Sequence, residues 1–391
     1  MRTARIDSVD VARGLAALSV AVYHHGFGHV MVQATGCNYF ELIAWPGANL
    51  AVPLFFVISG FCIHLGTLTR PVASGFIVRF YCQRFVRIYP AWLVAVMVSM
   101  IVLWLGGQRI PPGLIFSHLT LTNGFFNDYH LNAALWSVSV ESFLYLIYPL
   151  WLLFRRRAGL SSAVLLAIAV SAVSSTVTAW LQPVPTGPSM WFFLNVWCGW
   201  VAGAVLAEIW MSPRKKKLRH PTWWIGALCL GVIHLTLILH DSYAGQWTYA
   251  RLPITICLCV CPLAMLLLAG EKLANGKPGR ATLFVWQQLA TVGMFSYSLY
   301  LLHIPLQSLR LILRPAMSDA KPIQLLIFVS WFGLVLGVSW LCYRWVEVPS
   351  SRYGKKLIAR FFPPTPTPAV ASPELETTTF ENPFPSCSDH R

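Results

Sequence analysis

Asp10, Arg13 and His24 are three titratable side chains in a stretch otherwise dominated by Ala, Val and Leu. Arg13 stands three residues beyond Asp10 and His24 eleven beyond Arg13, and at 100° per residue eleven steps end only about 20° from a whole number of turns. All three therefore share one helix face, with Asp10 able to pair with Arg13 one turn away and His24 about 16 Å farther along the same stripe. Arg13 and His24 could simply snorkel and hydrogen-bond to structure. An aligned set argues for more, because an ionisable group in hydrocarbon costs several kcal/mol unless it is paired or faces water, and so marks a site. The chemistry on offer is proton transfer by an imidazole near pH 7, with a guanidinium that can hold a carboxylate. His25 points about 100° away from His24 and does not serve the same site directly. His29, at the outer end of that helix, is interfacial.

Four further stretches carry polar groups at helical spacing. In "PLFFVISGF" (53 to 61) Ser59 and Gly60 interrupt an aromatic run, where small residues let another helix or a ligand chain come close to the backbone. In "FYCQRFVRIYPAW" (80 to 92) Arg84 and Arg87 are three apart, neighbours on one face, suited to a lipid headgroup or to the phosphates of a cofactor. In "LWSVSVESFLYLIYP" (135 to 149) Glu141 is a carboxylate well inside an apolar span with Tyr145 one turn beyond. A buried Glu needs a cation or a donor, or it becomes neutral. Finally "MFSYSLYLLHIPL" (294 to 306) contributes Ser296, Tyr297, Tyr300 and His303.

The elements that must position these residues are membrane helices. The 391 residues are 56% hydrophobic and 11% charged, with mean hydropathy +0.60, far from the near-quarter charged content of a soluble domain. The apolar runs have the length a helix needs to cross about 30 Å of hydrocarbon, unlike the short alternating segments of a barrel. The expected fold class is all-α, a polytopic membrane bundle of about ten transmembrane helices: 13–31, 42–66, 88–106, 134–154, 160–181, 190–210, 222–240, 251–269, 284–306 and 323–343. With the N-terminus inside, the 29 basic residues divide 24 to 5 in favour of the cytoplasmic face, which places both termini in the cytoplasm.

That division accounts for the formal charge of +15 without a nucleic-acid partner. The "RKKKLRH" run at 214 to 220 reads as a stop-transfer and headgroup anchor. Ten cysteines, most of them within spans, read as small packing residues and not as metal ligands; Cys257, Cys259 and Cys261 in "CLCVC" lie about 200° apart in succession. No metal is expected. There is no cleavable signal pattern, and no extra soluble domain fits the loops. The expected organisation is a membrane unit over residues 1–360 and a disordered, Pro/Thr/Ser-rich cytoplasmic tail over 361–391.

Taken together, "DVARGLAALSVAVYHH", "VPLFFVISGF", "RFVRIYP", "LWSVSVESFLYLIYP", "FSYSLYLLHIPL" and "RWVEVPSSR" resemble the acyltransferase-3 family, membrane enzymes that O-acylate bacterial surface carbohydrates, from about Ile6 to Arg352. The resemblance implies a ten-helix bundle of the bacterial inner membrane that takes an acyl group, acetyl first among them, from cytoplasmic acyl-CoA. The acceptor would be a hydroxyl of a lipopolysaccharide, exopolysaccharide or lipo-oligosaccharide. The family's first-helix Arg and His fall on Arg13 and His24, its Arg-x-x-Arg on Arg84 and Arg87, its Ser-Gly-Phe on Ser59, Gly60 and Phe61, and its intramembrane Glu on Glu141. Where relatives read Asp-Gly-Leu-Arg-Gly this chain has Asp10-Val11-Ala12-Arg13-Gly14, with the Asp to Arg spacing kept. The fused esterase-like domain that many relatives carry after the last helix is not expected here.

On this reading His24 is the general base that takes the acceptor's proton as it attacks the thioester, with a covalent acyl-His second. Arg13 holds Asp10 or the cofactor, or stabilises the oxyanion. Arg84 and Arg87 meet the cofactor's phosphates, and the acyl chain passes Ser59, Gly60, Glu141 and Tyr145. The rival is a carrier or flippase for a lipid-linked sugar or amphiphile, for which no internal repeat is evident.

Overall fold

Every regular element among the described residues is helical, as it must be where the backbone has only itself to satisfy its hydrogen bonds. The computed structural model describes residues 7–69, 75–124, 130–181, 192–220, 225, 232, 255–256, 258–313 and 321–362. In chain order these form α1 (Asp7–His24), α2 (Phe27–Thr35), α3 (Tyr39–Asn49), α4 (Ala51–Leu68), α5 (Phe76–Leu105), α6 (Pro112–Leu119) and α7 (Leu135–Leu181). There follow α8 (Phe192–Asn195), α9 (Trp197–Met211), a 3₁₀ turn (Pro213–Arg219), α10 (Val260–Asn275), α11 (Arg280–Met294), α12 (Ser296–Leu313), α13 (Lys321–Cys342), a π turn (Tyr343–Glu347) and α14 (Val348–Phe361).

Four of these runs, α4, α5, Leu135–Thr178 of α7 and Ile323–Phe361, are long and apolar enough to cross a membrane. Two bent pairs pass the same test when joined: α1 with α2 at 61°, and α11 with α12 at 70°. The described residues thus hold four to six candidate spans, where the sequence led to an expectation of ten. The expected span 222–240 falls almost wholly outside the described residues, as do residues 363–391 of the tail.

Four expected spans are interrupted, among them 190–210, which divides at Val196 between α8 and α9. The one at 13–31 breaks at Gly26, whose φ of 75° ends α1 in the left-handed region, where glycine has no Cβ to clash. That at 42–66 divides between α3 and α4, and that at 284–306 at Phe295. Gly159, with φ 86° and ψ 167°, interrupts α7 just after Arg155–Arg157, where the sequence places a loop between two spans. Large apolar side chains such as Trp104, Leu150, Trp180 and Leu326 face outward; a soluble surface would not tolerate such a belt, whereas hydrocarbon does.

Two helix pairs approach backbone to backbone through reciprocal glycines. On α1 a Cβ at Gly14 would land on the Leu289 carbonyl oxygen of α11, and a Cβ at Gly293 on the Asp10 carbonyl oxygen in return. The same reciprocity joins α4 and α9: Gly60 lies on the Trp200 carbonyl and Gly203 on that of Val57. In a membrane, where apolar burial between helices gains little over lipid contact, such close approach is what holds helices together. Of the two neighbours expected at Gly60, another helix or a ligand chain, the structure shows the helix.

A polar lock supplements it. His64 Nε2 donates to Glu208 of α9 at 2.9 Å, and its Nδ1 bonds the Tyr148 hydroxyl of α7 at 3.1 Å. Glu208 also pairs with Arg155, and Trp151 and Trp200 are fully buried with Tyr148. Beyond α9, Lys215 and Arg219 of the 3₁₀ turn hold Glu271, at 2.6 and 3.3 Å. The Lys215 hydrogen bond keeps that carboxyl below the usual range, so part of the basic run expected to anchor headgroups is tied to the protein itself.

Overpacking at a closed glycine is expected to cost about 1–3 kcal/mol. Gly203→Val should lower the melting midpoint of the detergent-solubilised protein by several degrees, as read by fluorescence-detected size exclusion. Gly333→Ala, which meets open space, should leave it unchanged; equal midpoints for both variants would refute the close packing.

Candidate functional site

The close contact of α1 with α11 sets Asp10 and Arg13 beside the break between α11 and α12, where a cavity of about 640 Å³ opens. Arg13 reaches Asp10 Oδ1 at 3.3 Å and donates to Cys62 Sγ of α4 at 3.2 Å. The i,i+3 pairing expected from spacing is therefore made, and a cysteine read as mere packing turns out to be its second acceptor.

Ser59 from α4, Glu141 and Tyr145 from α7, and Arg84 and Arg87 from α5 line the same cavity. Helical spacing explains the local geometry. Glu141 and Tyr145, one turn apart on α7, bond directly, with the phenol donating to the carboxylate. Tyr145 Oη stands 3.3 Å from Ser59 Oγ, which accepts from Trp200 Nε1 at 3.3 Å. Because an indole only donates and the phenol proton is given to Glu141, the serine proton must point to Tyr145. The hydrogen bonds run one way, from Trp200 through Ser59 and Tyr145 to Glu141.

Arg84 is sandwiched, its guanidinium carbon 5.5 Å from the Phe80 ring centroid and 5.8 Å from that of Tyr145. Its Nε is buried with no acceptor among the described residues. Glu141 has a phenol as its hydrogen-bond donor and shares the cavity wall with Arg13 and Arg84.

Sequence reasoning missed Glu347. It sits in the π turn, lines the cavity, and accepts from the backbone N–H of Ser298 at 2.9 Å and from the Ser298 hydroxyl. The carboxylate thereby closes the first turn of α12, where free N–H groups and the helix dipole favour an anion. The signal lay in "RWVEVPSSR", but the last expected span was cut at 343 and left this Glu outside the membrane.

Neither Gly60 nor His24 lines the cavity. His24 ends α1, with Nδ1 2.9 Å from the Val20 carbonyl oxygen. A carbonyl only accepts, so Nδ1 carries the proton and Nε2 keeps its lone pair. The His24 ring centroid lies 5.1 Å from that of His303, which lies 5.6 Å from that of Tyr300. Tyr300 forms part of the cavity wall and bonds Ser137 at 2.6 Å. His303 is fully buried, with Nδ1 on the Tyr300 carbonyl and Nε2 without a partner among the described residues. Two aromatic layers thus separate the stripe's charged end from its imidazole end. His25 is buried against Phe332, away from this line. Among the described residues no three His, Cys, Asp or Glu side chains form a metal-ligating group.

A family model described as an acyltransferase domain matches residues 6–344. The chain is 26% identical to acyltransferase MdmB of Streptomyces mycarofaciens over 77% of its own length and 79% of that protein. It is 24% identical to peptidoglycan O-acetyltransferase OatA of Listeria monocytogenes over 89% of its length, but spans only 56% of that protein. It is 27% identical to nodulation protein 10 of Rhizobium leguminosarum over 48% of its length and 57% of that protein's. No solved structure matches the chain.

A double-mutant cycle checks the donor chain. Tyr145→Phe and Glu141→Gln should each lower thermal stability, and the pair should do so by less than their sum, with a coupling of about 0.5–3 kcal/mol. Strict additivity in thermal melts would mean that the phenol does not bond the carboxylate.

Proposed function

The chain belongs to the acyltransferase-3 family, and from that premise we propose that it is a multi-pass membrane O-acetyltransferase that moves an acyl group from acyl-CoA to a carbohydrate hydroxyl. The observation that carries this reading is the cavity itself, where Asp10, Arg13, Ser59, Arg84, Arg87, Glu141 and Tyr145 converge from four helices. Its mouth fits an anionic donor and its wall is aromatic. The resemblance to a peptidoglycan O-acetyltransferase supports a cell-surface glycan as acceptor.

In this mechanism the phosphates of the donor rest on Arg84 and Arg87 at the cytoplasmic edge of the inner membrane, and its acyl arm extends along the cavity past Ser59 and Tyr145 towards Tyr300. His24 Nε2 takes the proton of the acceptor hydroxyl as that oxygen attacks the thioester carbonyl. The C–S bond breaks, and the thiolate leaves and takes up a proton. Arg13, held in place by its partner Asp10, supplies positive charge to the donor side of the carbonyl. For this step the acyl arm has to pass Tyr300 and His303, which stand between the cavity and His24. The support for His24 as base is its tautomer: the Val20 carbonyl fixes the proton on Nδ1 and leaves Nε2 free to accept. Acyl-His formation at the same nitrogen would be a two-step version of the transfer.

Loss of a general base typically costs 10² to 10⁴-fold in rate. Membranes containing the wild type should release free thiol from acetyl-CoA in the presence of surface glycan, and membranes with His24→Ala at equal level should do so about a hundredfold more slowly or worse. In a deletion strain, mass spectrometry should find an added acetyl on a surface glycan with the wild type and none with His24→Ala. Full restoration by His24→Ala would overturn the base assignment. A glycan that fails to reach the surface, with no change in acetyl content, would establish the carrier reading instead.

A further inference from the structure

The family match ends at residue 344, but the cavity wall does not. Beyond the π turn, Val348, Ser351, Arg352, Lys355 and Ile358 of α14 line the cavity that Arg84 and Arg87 also face. These positions follow the i, i+3, i+4, i+7 pattern of a single helix face. The opposite stripe, Tyr353, Leu357 and Phe361, is 72%, 56% and 68% exposed. Gly354 allows the helix to lie flat along α5, since a Cβ there would land on Val86.

An amphipathic helix at a membrane surface ordinarily buries its apolar stripe in lipid and leaves its cations to water and headgroups. In α14 one pair of cations, Arg352 and Lys355, lines the open cavity instead while staying exposed to water. Among the described residues none of Arg84, Arg87, Arg352 and Lys355 forms a salt bridge. Glu347, the carboxylate at this end of the cavity, is already engaged by Ser298. Five cationic side chains line the cavity with three carboxylates, Asp10, Glu141 and Glu347, and the excess of positive charge is balanced when an anion with several oxygens binds.

We propose that Arg352 and Lys355 bind phosphate groups of the acyl donor, so that the nucleotide end of coenzyme A is held between α5 and α14 and not by α5 alone. This rests on the acyl-CoA reading above. The Arg352 guanidinium offers a planar fork for two phosphate oxygens and Lys355 a mobile point charge. Anionic lipid headgroups present the same phosphate chemistry, but the pair faces the cavity, opposite the stripe that meets lipid, which favours the donor.

The test uses the full chain in nanodiscs of zwitterionic lipid, with coenzyme A and pantetheine, which lacks the nucleotide phosphates, as titrants in calorimetry. Arg352→Ala/Lys355→Ala should weaken coenzyme A binding at least tenfold and leave pantetheine binding within twofold of wild type. Lys356→Ala/Arg360→Ala, which removes the same charge from α14 at positions that do not line the cavity, should leave both unchanged. Arg352→Gln/Lys355→Gln carries the expectation of the alanine pair should that variant fail to fold. Wild-type affinity for coenzyme A in the cavity variants, or an equal loss in the outer pair, overturns the proposal. So does a loss confined to discs that contain anionic lipid, which would assign the pair to headgroups. Absence of saturable coenzyme A binding by the wild type would instead bring down the acyl-CoA reading, and this inference with it.

Discussion

The contact on which the rest depends is the crossing of α1 and α11 at Gly14 and Gly293. Each glycine lies against a carbonyl of the other helix, so any side chain would push the pair apart. That closeness brings Asp10 and Arg13 beside the bend at Phe295, where the interrupted helix leaves room for a cavity. A straight helix there would fill the space with side chains, and a looser crossing would leave the ion pair facing lipid, where it could not persist.

Around that cavity the charges follow a consistent logic. Asp10 has Arg13, Glu141 has Tyr145, and Glu347 has Ser298. Each carboxylate is matched with a donor from a nearby element, so the anionic groups are structural necessities already met by the fold. Among the described residues Arg84, Arg87, Arg352 and Lys355 form no salt bridge, and positive charge is in excess along the cavity wall. Polarity is thereby graded along a single path, from open cations through a hydrogen-bonded middle to the imidazoles of His303 and His24.

Short-range features of this design were legible in the sequence. The Asp10–Arg13 pair and the Glu141–Tyr145 bond follow from helical periodicity alone, and the all-helical class follows from apolar run length. At Gly60 a small residue in a membrane helix marks close approach without saying of what, and Trp200 of α9 is 140 positions away in the chain. The breaks at Gly26, Leu50 and Phe295 were missed because hydropathy averages over them. Only Gly26 carries a local reason, its left-handed φ. The neighbours of His24, the role of Glu347 and the inward face of α14 depend on contacts between distant segments, which periodicity cannot supply. The stripe shared by Arg13 and His24 illustrates the difference: its alignment is a property of one helix, whereas the layer that divides it belongs to α12.

The hydrogen-bond chain that ends on Glu141 also limits where protons can travel. Its far terminus is the indole of Trp200, which has no lone pair available to accept, and its order is fixed by that fact. A proton arriving on Glu141 therefore has no exit through Ser59 towards α9. The chain behaves as a blind alley and not as a wire, and Glu141 can exchange protons only with whatever occupies the cavity.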